Sequence, residues 1–348
     1  MGRFILKRLG VMLLTAFCLT FAVFFLTNLH PSLEKLAKNQ VNTRMTDEQV
    51  ELWLAHNGYG GSIPWRYAEW LGIAPGWTDI DENGKPTGRC VTPGVPLEQT
   101  PRFCGVLQGY LGFSTVFQQP VAPIIAERMA LTGWLMLWVM IVMVPMALIV
   151  GVLAGMREGS RLDRGLSMFS IASTATPEYV SGVVLIAIFA STGVGLQWFK
   201  ASAASAMDRM TFENFTLPVL TMALYGMGYI ARMTRAAMAE VMTAQYIRTA
   251  HLKGLSFGVV VIRHALRNAL IAPFTVIMLQ FPWLLTGVVI VEALFSYKGF
   301  GWTLVRAADN NDIELLLSCS IVAVVVVLLT QLISDIGYIF LNPRVRVG

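Results

Sequence analysis

The residues in this sequence that could do chemistry are few, and most sit in apolar surroundings. Gly254-Leu255-Ser256-Phe257-Gly258 has the Gly-x-Ser-x-Gly spacing of a nucleophile elbow, which requires a strand before the serine, a helix after it, and histidine and acid partners. Here it lies in a basic stretch with helical periodicity, Tyr246 to Pro273, and reads as part of a helical hairpin rather than a hydrolase site. His251 and His264 have no Cys or Asp at a ligand spacing, so they read as surface histidines and no metal site is expected. No Gly-x-x-x-x-Gly-Lys-Ser/Thr occurs, so the chain should not hydrolyse ATP, and no residue is assigned a catalytic role. Three carboxylates remain. Glu178 follows Pro177 near the middle of one apolar run, Glu292 lies near the outer end of another, and Asp335 near the inner end of the last. Charge in lipid is costly and is by default a functional hypothesis. For Glu292 and Asp335 the stronger reading is an end-of-span acid that reaches interface water or a helix end. Glu178 stays open between lining a pathway and pairing with a basic residue of a partner.

The elements that must position these groups follow from composition. Of 348 residues, 55% are hydrophobic and 14% charged, against about a quarter charged in a soluble domain. Apolar runs extend over Leu9 to Leu29, Ala130 to Gly155, Leu166 to Ser191, Phe215 to Ala231, Pro273 to Phe295 and Leu315 to Leu341. Six such runs predict an all-α membrane protein of six transmembrane helices. The first run exceeds a signal-peptide core and lacks a cleavage site after it, so it reads as an uncleaved helix ended by His30-Pro31. Pro145, Pro177, Pro218 and Pro282 should kink or start spans, and the backbone groups they free need partners or a wet cavity. Ala147, Gly151 and Gly155 at spacing four permit close helix approach.

Charge sets the orientation. The amino end, the connection Met156 to Gly165, the stretch Arg232 to Ala272 and the tail together hold 14 Lys or Arg against three acids. Arg344 and Arg346 supply the tail's share. Alternate connections are neutral or acidic, which predicts both termini in the cytoplasm. The net charge of +5 is therefore a one-face excess, and no nucleic-acid partner is expected. Three regions result: an N-terminal helix over 1–30, an outer region over 31–128, and a five-helix core over 129–348 that contains a cytoplasmic loop at 244–272. Within the outer region, MTDEQVELWLAHNG predicts a helix with Thr46 as N-cap and Gln49 at the capping-box position. WRYAEWLG predicts a second short amphipathic piece.

The basic loop carries the plainest signal. Arg248, Lys253, Arg263 and Arg267 are unopposed by carboxylates, and Gly254 divides the stretch. Tyr246, Ala250 and Lys253 share one helical face before the glycine. Val259, Ile262, Leu266 and Leu270 recur at helix spacing after it. The stretch resembles the cytoplasmic EAA loop of ABC-importer permeases, specifically the dipeptide/oligopeptide/nickel family. The family's glutamate-alanine-alanine falls on Arg248-Thr249-Ala250 and its glycine on Gly254. The glutamate is absent, and Leu266-Arg267 replaces the general motif's later leucine-proline. "RHALRNAL", "TPEYVSGVVLIAIFA", "TLPVLTMAL", "LLTGVVIVEALFSYKGFG" and the closing "DNNDIELLLSCSIVAVVVVLLTQLISDIGYIFLNPRVR" are similar to the same family.

That resemblance implies a type I ABC-importer permease fold in a bacterial inner membrane and a chain that forms half of a translocation pathway for peptides or a related small solute. It implies a homologous second permease, two ATPase subunits that bind ATP and Mg, and a periplasmic substrate-binding protein, with no cofactor on this chain. Arg248, Thr249, Ala250, Lys253, Gly254 and Leu255 would couple to an ATPase. Pro282, Trp283 and Leu284, with Glu178, would line the pathway. The alternative is a proton-coupled secondary transporter that uses Glu178 and Asp335, which would need no glycine-broken docking loop. A membrane scaffold is a third reading and predicts no ATP-dependent transport. Against the family pattern, Gly72 to Cys104 looks inserted. Cys90 and Cys104 lie in this outer segment, where disulfides persist, so they are expected to pair as a stapled cap, with two free thiols as the rival reading.

Overall fold

The computed structural model describes residues 2–80, 86–91, 97–191, 193 and 195–341. Arg344 and Arg346 of the orientation count lie outside these residues, as do 81–85 and 92–96 of the inserted stretch. The chain divides into two compact units, Met1–Glu127 with Thr303–Val326, and Arg128–Trp302 with Val327–Gly348.

The first unit begins with α1 (Gly2–Thr27) and α2 (His30–Gln40). Pro31 stands in the opening turn of α2, where a missing N–H goes unnoticed. The expected capping box opens α3 (Asp47–His56): the Thr46 hydroxyl accepts from Gln49 N while the Gln49 side chain accepts from Thr46 N. Gly72, at φ 85°, closes α4 (Ile63–Leu71). Tyr67 and Trp70 of α4 are buried among Phe24, Leu33, Leu36 and Leu54, and the Tyr67 hydroxyl meets Thr20 Oγ1 at 2.7 Å. The turn-rich segment holds β1 (Thr78–Ile80) paired antiparallel with β2 (Pro86–Gly88). A second ribbon pairs β3 (Phe113–Ser114) with β4 (Gln119–Pro120). The expectation of an all-α chain is thus corrected by two short ribbons at turn-rich sites.

The second unit is built on α5 (Val121–Gly155), α6 (Arg161–Ala175), α7 (Glu178–Phe189), α8 (Phe212–Met242), α9 (Gln245–Leu252) and α10 (Phe257–Val259). A π-helical turn over Val260–Ala265 leads to α11 (Leu266–Ala269) and α12 (Ile271–Leu294). The chain then forms α13 (Phe300–Asp309) and α14 (Ile313–Leu341). In α8, Leu217, Met222, Ala223, Met227 and Ile230 are all buried, and they join Leu284, Val288 and Val291 of α12 in one core. The approach of α5 to α8 is close enough to need glycine. A Cβ on Gly151 would lie 2.6 Å from Ala231 O, and one on Gly155 would lie 2.6 Å from Met238 Cβ.

Among the described residues, three helices are long and apolar enough to cross a membrane: Leu6–Thr27, Val121–Gly155 and Ile313–Gly337. Two bent pairs bring the number to as many as five if each pair counts as one span. The run from Leu166 to Ser191 is not one straight span, because α6 and α7 meet at 109°. Pro177 explains the break. It disfavours helical backbone at the residue before it, and Thr176 is extended at φ −88°, ψ 121°. The remaining long helix, α8, stands outside the apolar set. Its Thr221, Gly226, Gly228 and Thr234 are buried, so these less apolar residues lie inside the helical core.

Candidate functional site

The basic loop folds as a short helix seated on a shelf. Ile247 and Ala250 of α9 are buried against Met238, Val260, Val261, Ala265 and Ala269. Arg248, Thr249, His251, Lys253 and Leu255 are exposed, and Leu252 is 80% exposed. Gly254 ends the helix at φ +76°, with its N–H donating to His251 O at 2.9 Å. Ala250 therefore belongs to the packed face, apart from the Tyr246 and Lys253 side that helical spacing gave it. The face after the glycine also differs from the expected Val259, Ile262, Leu266 and Leu270. Val260, Val261, Ala265 and Ala269 are the buried set, and Ile262 is 71% exposed. The π turn is the reason. Its wider winding advances the buried stripe past the 3.6-residue register. Ser256 stands before a three-residue helix with no strand before it, and His251 stacks on Phe257 at 6.4 Å. An elbow geometry is absent. Among the described residues no cluster of three His, Cys, Asp or Glu could hold a metal.

An ion-pair cluster in the same unit joins α6 to α8. Asp163, buried at the start of α6, accepts from Arg235 Nε and from Arg235 Nη2 at 2.8 Å, and also from Gly159 N at 2.8 Å. Arg157 sits over the Phe257 ring at 5.2 Å. Sequence reasoning missed this link, since Asp163 and Arg235 are 72 residues apart and each looks like ordinary surface charge.

The intramembrane carboxylates separate in role. Glu292 is fully buried. It accepts from Thr132 Oγ1 and from Trp302 N at 2.9 Å, while Thr132 Oγ1 accepts from Phe300 N at 2.8 Å. The carboxylate thus meets the positive end of α13, as an end-of-span acid can. A Cβ at Gly299 would overlap it, which accounts for the glycine in SYKGFG. Asp335 Oδ1 accepts from Gln331 Nε2 at 3.3 Å. Glu178 is half-buried, with no hydrogen bond or ion pair among the described residues. It opens α7, and its Oε1 lies 3.1 Å from where a Gly287 Cβ would stand, beside Trp283. Trp283 stacks on Tyr225 at 5.0 Å. Glu178 and Trp283 thus share one place, whereas Leu284 is fully buried in the helical core. Pro282 removes the N–H that would have bonded Met278 O. Ser334 Oγ donates to that carbonyl at 2.7 Å, so the freed group is satisfied by protein.

Cys90 and Cys104 are bonded to each other, with Cα atoms 5.6 Å apart. Cys18 and Cys319 are free.

A family model described as binding-protein-dependent transport system inner membrane component matches residues 147–347. This chain belongs to that family. The match holds the α9 shelf, Glu178 and Pro282-Trp283-Leu284, and leaves out the segment with Cys90 and Cys104. Named relatives agree. The chain is 32% identical over 244 residues to "Probable peptide ABC transporter permease protein y4tP" of Sinorhizobium fredii, which covers 69% of this chain and 77% of that protein. It is 32% identical over 240 residues to the glutathione transport system permease protein GsiC of Escherichia coli O6:H1, covering 69% and 76% respectively. A crystal structure of an amino acid ABC transporter with histidines aligns at TM-score 0.46 and 14% identity, over 62% of this chain and 93% of that one. The permease is an inner-membrane transport component of an ABC importer and not an enzyme.

Proposed function

We propose that this permease supplies one half of a pathway that imports peptides or a related small solute. A homologous second permease completes the pore, and a periplasmic binding protein delivers the solute. Two ATPases, which carry ATP and Mg, dock beneath. The observation that carries this reading is the α9 shelf. One face, Ile247 and Ala250, is fixed to the helical core, and the other presents Arg248, Thr249, Leu252, Lys253 and Leu255 outward. A partner that grips the outer face can move the shelf as a body, and the shelf passes that motion to α8 and α12. In this reading the chain crosses six times with both termini in the cytoplasm, and α9 then lies on the ATPase side. The fourth of these spans is α8, which adds to the five apolar candidates, and the α6–α7 pair crosses as a broken helix.

The peptide class rests on the named relatives, one a peptide permease and one a glutathione permease. Glu178 beside Trp283 is the polar point on the proposed pathway. Co-purification from mild detergent tests the assembly. The expected particle holds this permease, a second homologous permease and two ATPases; a particle with two copies of this chain alone contradicts it. Uptake of a labelled peptide by that particle in vesicles, dependent on ATP and on the binding protein, tests the transport reading.

A further inference from the structure

The first unit carries four large apolar side chains that its described residues leave largely uncovered. Trp65 of α4, and Ile73, Phe103 and Leu107 of the segment after it, are 52%, 63%, 48% and 68% exposed. The chain doubles back here, so the last three stand on adjoining stretches. Gly76 N donates to Arg102 O at 2.9 Å, and Gln108 Nε2 donates to Gly72 O at 3.1 Å. Cys104, bonded to Cys90, follows Phe103 directly. The indole N–H of Trp65 is taken by Glu69 Oε1 at 2.7 Å, so the exposed ring offers apolar surface. Exposed apolar groups of this size mark an interaction surface. What covers them follows from the level at which they stand.

Two helices measure that level. The first is α1, apolar over Leu6–Thr27 and long enough to cross a membrane. The Tyr67 ring of α4 packs on Phe17, Phe21 and Phe24, with ring centres 5.8, 5.2 and 5.3 Å away. Phe21 lies six residues inside the Thr27 end, a depth of about 9 Å at 1.5 Å per residue. Trp70, one turn further along α4, packs on Phe24 at 5.8 Å, about 4–5 Å inside the same end. Beside these residues on α1, Phe25 and Leu26 are exposed, as lipid-facing side chains are. The second helix is α14, whose apolar stretch opens at Ile313. Its end lies on the same side as that of α1, since Phe24, Ile313 and Leu317 share one buried cluster. Ser318 Oγ donates to Leu111 O at 2.6 Å. That bond sets Leu111, four residues after Leu107, about 7–8 Å inside the α14 end.

Thus α4 and the turn around Leu107 lie alongside the last turns of two spans, not clear of them. Interfacial helices bury their apolar faces by about 5–10 Å, the same depth, and Trp is favoured at that level. A soluble partner would dock on surface that stands clear of the bilayer.

We propose that α4 and the segment after it form a lipid foot: Trp65, Ile73, Phe103 and Leu107 dip into one leaflet of the bilayer and tie the first unit to the membrane. That leaflet meets the Thr27 end of α1 and is the outer one in the orientation proposed above, but the contact holds in either orientation. Ile73 and Phe103 belong to the 72–104 segment that the family pattern lacks, so the insertion supplies half of the foot. Neither the solute nor the ATPases enter the argument.

Site-specific quenching in the assembled importer tests it. A small environment-sensitive fluorescent amino acid is placed singly at Ile73, Leu107, Leu26 or Glu48, in nanodiscs of phosphatidylcholine with or without brominated acyl chains. All four positions are exposed, so the probe leaves the packed core intact. Leu26 on α1 is the lipid control, and Glu48 in the first turn of α3 is the water control. Brominated lipid should quench the probe at Ile73 and Leu107 as it does at Leu26. Aqueous iodide should quench it severalfold less than at Glu48, because an unpaired anion is costly in apolar surroundings. Iodide quenching at Ile73 and Leu107 equal to that at Glu48 would put the patch in water and overturn the proposal. Protection from both quenchers would assign the patch to a protein partner and overturn it as well.

Discussion

Replacing Gly254 isolates the mechanical role of the loop, because the structure separates backbone strain from packing at this position. Gly254 holds φ +76°, and a Cβ built on it meets nothing within 4 Å. Any effect of a side chain there must come from the left-handed conformation, which disfavours L-residues by about 1–2 kcal/mol, and β-branched ones more. That energy lowers the population of the correctly turned loop by a factor of about 5–30. Gly254→Val should therefore cut ATP-driven uptake by the assembled importer about tenfold or more, while leaving the unfolding temperature of the membrane core unchanged. Gly254→Asn should retain most activity, because Asn tolerates this conformation. Gly258→Ala is the control. It also has open space around its Cβ but no positive φ, so it should behave as wild type. The assay is uptake and ATP hydrolysis by the complex in proteoliposomes, beside thermal unfolding of the same preparation. Wild-type uptake by Gly254→Val would refute the reasoning, as would equal impairment by Asn and Val.

Other substitutions test what holds the shelf and the spans. Asp163→Asn breaks the paired contact with Arg235 and should destabilise the purified chain by about 2–3 kcal/mol in denaturant unfolding, below the usual range for a buried pair because Arg235 is partly exposed. Ser334→Ala leaves Met278 O without its donor opposite Pro282 and should cost about 1–3 kcal/mol by the same measurement; no change would mean another group takes its place. The double replacement Cys90→Ser, Cys104→Ser opens a 14-residue separation and should lower the stability of the first unit by about 3 kcal/mol. Protease nicking within 72–104 would report the loss, and unchanged resistance would contradict it.

Much of this fold could be read from the chain, and the misreadings have physical causes. The apolar runs marked the long helices because lipid and the core both demand apolar side chains. The capping box at Thr46 was legible because it is local. The ribbons were not, since two- and three-residue strands leave no periodic trace. The bend at Pro177 lay hidden within an unbroken apolar run, although the proline that causes it was in view. The buried stripe of the shelf was misassigned because a π turn changes the period while leaving composition unchanged. Arg248, Thr249, Lys253, Gly254 and Leu255 are exposed on the shelf, whereas Ala250, which helical spacing set beside Tyr246 and Lys253, is turned inward. Long-range pairs such as Asp163 with Arg235, or Ser334 with Met278, depend on how helices pack, and a single sequence carries no sign of them.

The claim that α9 is the docking element is tested most directly by site-specific photo-crosslinking. p-Benzoylphenylalanine in place of Leu252, the most exposed apolar side chain of the shelf, should crosslink to an ATPase subunit in membranes that contain the whole importer. The same probe in place of Trp134, exposed on α5 in the apolar region, should not. A Leu252 probe that captures no ATPase, in complexes shown to contain the ATPases, would contradict the account.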